Sequence, residues 1–301
     1  MAAARELVIW RGSQFSSKAI AALRVKGFLP SKDYKLSSAP MGLEERKKLL
    51  PAPYTVPVLR WDGEVVAGSD EICAFLDERV AEPLLFPAEH EGEIRRLERA
   101  ASDLYWVNGW LSTVDAAGFE RWSGARVRKY VSGGGAGVGP RLLFKALPGS
   151  VTSRMIHGVA KKSYLATLRR RGAELGGETG AACLRLAAER DTAAVMEEAR
   201  AMLRVFDREL QASATEFFCG ASEPTAADLT LYGMLERWLG NSLCPGLNGP
   251  AQPSVIDGMP GLSLAWKRMH ERFQRDCTLS ELDDFADIAT SVGDVTWSRK
   301  G

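Results

Sequence analysis

Three serine side chains follow the first apolar segment of the chain, and each could hold an anion or cap a helix. Leu7–Trp10 is a short apolar run typical of a buried strand, and Ser13, Ser16 and Ser17 come just after it, where a helical pattern begins. A hydroxyl at this position can donate a hydrogen bond to an anion held near the helix N-terminus, or it can cap the helix. The spacing alone leaves both roles open for all three serines.

A second group of polar residues opens another helix. Gly68 and Ser69 precede a helical pattern that carries Asp70 and Glu71 in its first turn. The backbone N–H groups of a helix N-terminus bind carboxylates well. Ser69 is therefore a candidate anion-binding residue as well as a helix cap, and the two roles are compatible.

A proline stands in the turn before the strand pattern that separates these two groups. Val56-Pro57 directly precedes a hairpin pattern, Val58–Trp61 and Glu64–Ala67, joined by Asp62-Gly63. A proline at a strand entry is unfavourable unless its peptide bond is cis and the turn is deliberate. With a weak strand at Tyr34–Leu36, the order of elements is that of the thioredoxin fold. The sequence predicts an N-terminal thioredoxin-like β-α-β-β-β-α domain with a cis Val56–Pro57 bond.

The rest of the chain carries a helical pattern almost to its end. Ala81–Pro87 is typical of an interdomain linker, and Glu91–Trp110 and Thr192–Leu210 have the periodicity of long amphipathic helices. We therefore expect a first domain over residues 1–80, an all-helical C-terminal domain over residues 88–276 and a C-terminal tail over residues 277–301.

Composition and charge narrow the class of protein. The formal net charge of +1 gives no reason to expect a nucleic-acid partner. The 5 cysteines are widely spaced without a C-x-x-C motif, and the 3 histidines are scattered, which argues against a disulfide framework and against a metal site. No apolar run approaches the ~20 residues that span a bilayer, and the N-terminus lacks the pattern of a secretory signal. We expect a cytoplasmic, metal-free protein.

The balanced total hides a strongly basic segment. Twelve Lys and Arg residues but a single acidic residue, Glu174, lie within residues 121–175. Parts of this segment mix apolar and cationic residues, for example Met155–Lys162. Such a segment is either a solvated basic face, balanced by the acidic remainder of the chain, or a surface that binds anionic membranes.

Taken together, the quoted segments resemble the cytosolic glutathione transferase superfamily. Ser13–Lys18, Val56–Leu59 and Gly68–Ile72 are similar to the N-terminal domain of that family, and their order and spacing match. Phe218–Gly220 and Thr225–Leu229 look like its C-terminal helical signature, in which Thr225 and Asp228 would form a structural capping box. The resemblance covers roughly residues 5–80 and 88–275.

The resemblance implies glutathione as a co-substrate and a serine-type mechanism. Ser13 would be the catalytic residue, whose hydroxyl stabilises the glutathione thiolate. Val56, before Pro57, would pair its backbone with the cysteinyl unit, while Ser69 and Asp70 would bind the γ-glutamyl end.

Aromatic side chains could line the pocket for a second, hydrophobic substrate. Phe15, beside the serine, is the first candidate for a pocket wall. Tyr105, Trp106 and Trp110 have a spacing that fits either a pocket or a helix core.

Two functions follow from these observations. The first is conjugation of glutathione to a small hydrophobic electrophile, a detoxification reaction, in a protein that the family resemblance implies is a homodimer. The second is a non-catalytic binding or adaptor protein that keeps the scaffold. It is favoured by Gly68, where the family usually has Glu or Gln, and by Thr55, where many members have Lys or Gln. Gln14, where the family often has Pro, is a third departure from the family pattern.

Overall fold

The computed structural model describes residues 5–10, 13–40, 43–119, 149–239 and 255–274. The described strands are β1 (Glu6–Ile9), β2 (Lys35–Ser38), β3 (Val58–Trp61) and β4 (Glu64–Ala67). The described helices are α1 (Gln14–Val25), α2 (Leu43–Leu49), α3 (Ser69–Arg79), α4 (Glu91–Thr113), α5 (Ala116–Gly118), α6 (Gly149–Leu175), α7 (Gly177–Ala188), α8 (Thr192–Ala212), α9 (Ala226–Leu239) and α10 (Pro260–Gln274).

The four strands form one mixed sheet in the order β2-β1-β3-β4. β1 and β2 run parallel, with Val8 opposite Ser37, because α1 provides the crossover between them. β3 is antiparallel to both β1 and β4, with Val8 opposite Val58 and Val58 opposite Ala67. The thioredoxin-like N-terminal domain predicted from the sequence is confirmed.

The hairpin and the cis-proline turn also match the prediction. Asp62 and Gly63 both have positive φ, as a type I′ turn requires, and β3 and β4 flank them directly. The Val56–Pro57 peptide bond is cis. The sequence analysis missed α2, however, because its residues are mostly charged and show no clear apolar face.

The chain divides into two compact units. The first contains the described residues of 1–102 and 202–289, and the second contains those of 103–201. The domain boundaries expected from the sequence, at residues 80–88 and 276, stay predictions.

In the first unit, α9 packs against α1 at very short range. A Cβ atom built on Gly233 of α9 would lie 2.5 Å from the carbonyl oxygen of Gln14, the first residue of α1. Only glycine permits this approach, so α9 fixes the position of the start of α1.

The start of α9 is held by a buried carboxylate. Asp228, 6% exposed, accepts hydrogen bonds from the Thr225 N–H at 2.8 Å, the Thr225 hydroxyl at 2.6 Å and the Phe218 N–H at 3.1 Å. One of the two hydrogen bonds of the expected capping box is therefore present, from the Thr225 N–H to the Asp228 carboxylate. The Thr225 hydroxyl donates to Asp228 as well.

The second unit is helical throughout its described residues. Its basic α6 carries the described part of the basic segment, and residues 121–148 of that segment lie outside the described residues. Val151, Met155 and Val159 are exposed on α6 at intervals of four residues. The two interpretations of the basic segment both stay open.

Candidate functional site

Three of the segments singled out in the sequence meet at one edge of the sheet. Ser13 follows the C-terminal end of β1, Val56 precedes β3, and Ser69 follows β4. Because β3 is antiparallel to β1 and β4, its first residue lies beside the last residues of both. Trp10 and Val56 share one buried apolar cluster at this edge.

Ser13 caps α1. Its backbone is extended, with φ −78° and ψ 120°, and its hydroxyl oxygen accepts a long hydrogen bond of 3.4 Å from the Ser16 N–H. Its own N–H donates to the Trp10 carbonyl at 3.2 Å. The capping bond uses the hydroxyl as an acceptor, so its proton stays available for donation to a ligand.

The two neighbouring serines are more deeply enclosed. Ser16 is completely buried, and its hydroxyl oxygen accepts a hydrogen bond from the Trp10 N–H at 3.3 Å. Ser17 is 2% exposed, whereas Ser13 is 6% exposed. Of the three candidates, Ser13 is the one that lies at the helix N-terminus and keeps some exposure.

The cis-proline turn is tied directly to the start of α3. The Pro57 carbonyl accepts a hydrogen bond of 3.0 Å from the Gly68 N–H. Among the described residues, none hydrogen-bonds to the backbone N–H or C=O of Val56. This backbone segment can therefore receive an extended peptide as a short antiparallel pair.

The N-terminus of α3 presents Ser69 and Asp70. Ser69 is buried, and its hydroxyl lies 3.0 Å from Oδ1 of Asp70. Burial would raise the pKa of Asp70, but the charge of Lys18 and hydrogen bonds from Lys18 and Ser69 lower it below its usual value. Because the carboxylate is ionised and can only accept, the serine hydroxyl is the donor in this pair.

Gly68 has no side chain, and a carboxylate from the next turn fills its place. Its φ of 108° is a conformation that favours glycine, and a Cβ atom built there would lie 2.0 Å from Oε2 of Glu71. The exposed Glu71 carboxylate is thus folded back over the N-terminus of α3, beside Ser69. The sequence analysis did not foresee this arrangement.

A buried lysine behind Asp70 was also missed. Lys18 of α1 is 1% exposed, and its Nζ donates to Oδ1 of Asp70 at 2.7 Å and to the buried carboxylate of Glu98 on α4. Burial would lower the pKa of the Lys18 ammonium, but Cys73, Asp70 and Glu98 raise it to about 12. Burial raises the pKa of the Cys73 thiol to about 12 as well, so at neutral pH the two carboxylates hold the ammonium.

The aromatic candidates differ in their surroundings. Phe15, in the first turn of α1, is half-buried next to Ser13. In the second unit, Tyr105 and Trp106 are half-buried on α4 with their rings packed edge to face. Trp110 is 1% exposed, and its indole N–H donates to the Leu186 carbonyl at 3.0 Å, so its ring belongs to the core of that unit.

The described residues contain neither a metal-binding cluster nor a membrane-spanning helix. No group of His, Cys, Asp and Glu in the described part of the chain is arranged to hold a metal ion. Within the same residues, no helix is long and apolar enough to cross a lipid bilayer.

Two family models match the chain. The glutathione S-transferase N-terminal domain matches residues 7–84, and the glutathione S-transferase C-terminal domain matches residues 187–263. Together they match just over half of the chain, in the expected order. The chain belongs to the glutathione S-transferase family.

The solved structures to which this chain is similar include three of low sequence identity. A rice glutathione S-transferase in complex with glutathione is 17% identical, with 96% of this chain and 97% of that chain covered and a TM-score of 0.45. A glutathione S-transferase of Ceriporiopsis subvermispora, also in complex with glutathione, is 16% identical, with coverage of 92% and 98% and a TM-score of 0.49. The β-etherase LigF of Sphingobium sp. strain SYK-6 is 16% identical, with coverage of 95% and 100% and a TM-score of 0.48. A search of curated proteins found no match.

Proposed function

We propose that this protein binds glutathione at the sheet edge formed by Ser13, Val56 and Ser69 and conjugates it to a hydrophobic electrophile. The observation that carries the proposal is the convergence of these three segments within a domain that matches the family's N-terminal model. Each segment offers one kind of contact to one part of a small anionic thiol peptide.

Ser13 is the proposed catalytic residue. Its hydroxyl donates a hydrogen bond to the glutathione sulfur, and the N-terminus of α1 adds a favourable electrostatic field. Both effects favour the thiolate over the thiol, and the thiolate is the nucleophile. The sulfur attacks an electrophilic carbon, a C–S bond forms, and the leaving group departs with its electron pair.

The other two segments bind the peptide. The free N–H and C=O of Val56 pair with the cysteinyl unit, and the cis Val56–Pro57 bond presents them at the sheet edge. The first N–H groups of α3 receive the γ-glutamyl carboxylate. Glu71, whose carboxylate covers Gly68, and Asp70 accept from the γ-glutamyl ammonium, which compensates for the missing side chain at Gly68.

The test is retention on immobilised glutathione, followed by a conjugation assay with an activated aromatic halide. Wild-type protein should be retained, should elute with free glutathione and should release halide. Ser13→Ala should still be retained but should conjugate much more slowly. A wild type that shows neither retention nor conjugation would contradict the proposal.

The second candidate function is a binding or adaptor protein on the same scaffold. Gly68 and Thr55 favour it, since they differ from the usual residues of the family at these positions. Retention of glutathione without turnover of any electrophile would support this function. A homodimer, a cytoplasmic location and a role in detoxification stay predictions for either function.

A further inference from the structure

We infer that Lys18 is a positioning residue of the proposed glutathione site, which presents one oxygen of Asp70 to the amino group of the ligand. The inference rests on the proposed function and deepens it. Lys18 does not reach the ligand itself, because its side chain is 1% exposed.

The first step is that the two carboxylate oxygens of Asp70 have different surroundings. Oδ1 accepts from Lys18 Nζ at 2.7 Å and from the Ser69 hydroxyl at 3.0 Å. No described residue hydrogen-bonds to Oδ2, and the Asp70 side chain is 53% exposed. Lys18 therefore holds the inner oxygen and leaves the outer oxygen free at the surface.

The second step concerns the Ser69 hydroxyl. Since it donates to the ionised Asp70, its proton points away from an incoming ligand and its lone pairs remain available. A lone pair of Ser69 and the outer oxygen of Asp70 are both acceptors, as is the Glu71 carboxylate nearby. The group that fits three acceptors beside a helix N-terminus is an ammonium next to a carboxylate, which is the α-amino acid end of a ligand.

The third step is the charge balance. Lys18 is paired with Asp70 and Glu98, and Arg95 of α4 lies 4.0 Å from the second oxygen of Glu98, so two cations balance two carboxylates. Within the described network both cations are engaged with Glu98, and the outer oxygen of Asp70 is the carboxylate oxygen left to accept from a cationic group of a ligand. Without Lys18, Asp70 could turn both oxygens to solvent, and Ser69 would lose a fixed partner.

The decisive variant is the double substitution Lys18→Met with Glu98→Gln. It removes the tether of Asp70 but keeps the net charge of the three positions and leaves no unpaired ion in the interior. We expect it to bind glutathione at least tenfold more weakly than wild type in titration calorimetry. It should bind glutaryl-cysteinylglycine, which lacks the amino group, as wild type does.

Two further variants serve as controls. Lys26, the residue that directly follows α1, is a second buried lysine and is paired with Asp77 of α3 at 2.7 Å. Lys26→Met should leave both affinities unchanged. Asp70→Asn keeps the Lys18–Glu98 pair and is the variant to use if the double variant does not fold. Asp70→Asn should weaken the binding of glutathione but not that of the amine-free analogue. Combined with the double variant, it should lower the affinity for glutathione little further.

The pH profile gives an independent readout. In wild type the lowered pKa of Asp70 keeps its carboxylate ionised until the pH falls below the usual value of 3.8. The double variant has already lost the fixed oxygen of Asp70, so protonation of Asp70 should not weaken its binding of glutathione further. The ratio of the wild-type affinity to that of the double variant should therefore shrink as the pH falls below about 4.

The outcomes are distinguishable. Wild-type affinity for glutathione in the double variant, or in Asp70→Asn, would overturn the inference while the proposed function stands. Equal losses for glutathione and for the amine-free analogue would assign Lys18 a purely structural role and would also overturn it. A wild type that binds no glutathione would overturn the proposed function, and the inference with it.

Discussion

The ammonium of Lys18 and the carboxylate of Asp70 lie 2.7 Å apart, although the lysine side chain is buried and the aspartate side chain is half exposed. This ion pair links the interior of the first unit to the N-terminus of α3. Glu98, 4% exposed, completes the interior end of the network. The stability of the interior and the proposed ligand contact of Asp70 therefore both depend on the Lys18 side chain.

The first prediction is that Lys18→Met alone destabilises the protein strongly. The substitution removes the buried partner of the Glu98 carboxylate and leaves only the exposed Arg95, 4.0 Å away, as a counter-charge; loss of one partner of a buried pair costs up to about 3–5 kcal/mol. Denaturant unfolding at pH 7 should show this loss, and adding Glu98→Gln should recover most of it. A single variant as stable as the double variant would contradict the argument.

The pH dependence of that network has a definite sign. The pKa of Lys18 is raised above the 10.5 of an unfolded chain, so its stabilising contribution is complete below that pH and is lost as the pH rises through about 12. The pKa of Asp70 is lowered, so its contribution is lost only when the pH falls below the usual value of 3.8. The free energy of unfolding should not depend on either group between about pH 5 and 10.

The second prediction concerns Ser13→Ala. Loss of a hydrogen bond to a charged sulfur should remove about 1.5–3 kcal/mol of transition-state stabilisation and lower kcat accordingly. The affinity for glutathione should change little. Ultraviolet difference spectra should show a higher pKa for the bound thiol in the variant. Ser16→Ala is the matched control, since that hydroxyl is completely buried. An unchanged thiol pKa in Ser13→Ala would remove Ser13 from the mechanism.

The sequence predicted the parts of this structure that depend on local signals. The Asp62-Gly63 turn follows from residue types that strongly restrict the backbone, while the order of strands and helices along the chain indicated the thioredoxin fold and, with it, the cis Val56–Pro57 bond. These signals also located the three segments that converge at the sheet edge.

The residues behind the site could not be found in the same way. Lys18 lies 52 positions from Asp70 and 80 positions from Glu98, so no periodicity or spacing connects them. Glu71 looked like an ordinary acidic residue of a helix N-terminus, and only the backbone conformation of Gly68 shows that its carboxylate covers that position. Packing between distant elements decides both cases.

The third prediction is that Glu71→Gln weakens glutathione binding by about three- to tenfold, roughly 1 kcal/mol. The reason is the loss of a negative charge beside the γ-glutamyl ammonium. Glu78→Gln, an exposed substitution two turns further along α3, changes the net charge equally and should have no effect. Calorimetry with glutathione and its amine-free analogue should confine the loss to glutathione. A similar loss for both ligands would mean that Glu71 acts on the helix rather than on the amino group.

The fourth prediction is that Gly233→Ala damages the site from a distance. The added Cβ would lie 2.5 Å from the Gln14 carbonyl, a backbone atom that can move only with the start of α1. Overpacking of this kind costs about 1–3 kcal/mol and should displace the neighbouring Ser13. We expect a lower thermal midpoint together with a reduced kcat. Gly92→Ala, where a Cβ meets no atom within 4 Å, is the control and should change neither quantity.

The last prediction concerns the carboxylate that starts α9. Burial raises the pKa of Asp228 to about 6, against three hydrogen bonds from Thr225 and Phe218 that lower it. The folded state therefore binds a proton between pH 3.8 and about 6 that the unfolded chain releases. The contribution of this group to the free energy of unfolding is greatest below pH 3.8 and declines as the pH rises to about 6, by roughly 3 kcal/mol, after which it is constant.

Asp228→Asn removes this titration and isolates its effect. The variant should be less stable than wild type at pH 7, because the amide has a single oxygen for three donors. The difference in the free energy of unfolding between wild type and the variant should grow as the pH is lowered from about 7 to 4, since only wild type is stabilised by protonation of Asp228. Thr225→Val, which removes one donor and leaves the carboxylate, is the matched control: its stability should still rise toward low pH, with the transition moved to higher pH because the lost hydrogen bond lowers the pKa of Asp228 in wild type. A deficit that shrinks toward low pH would show instead that the carboxylate is stabilised in its ionised form by its hydrogen bonds.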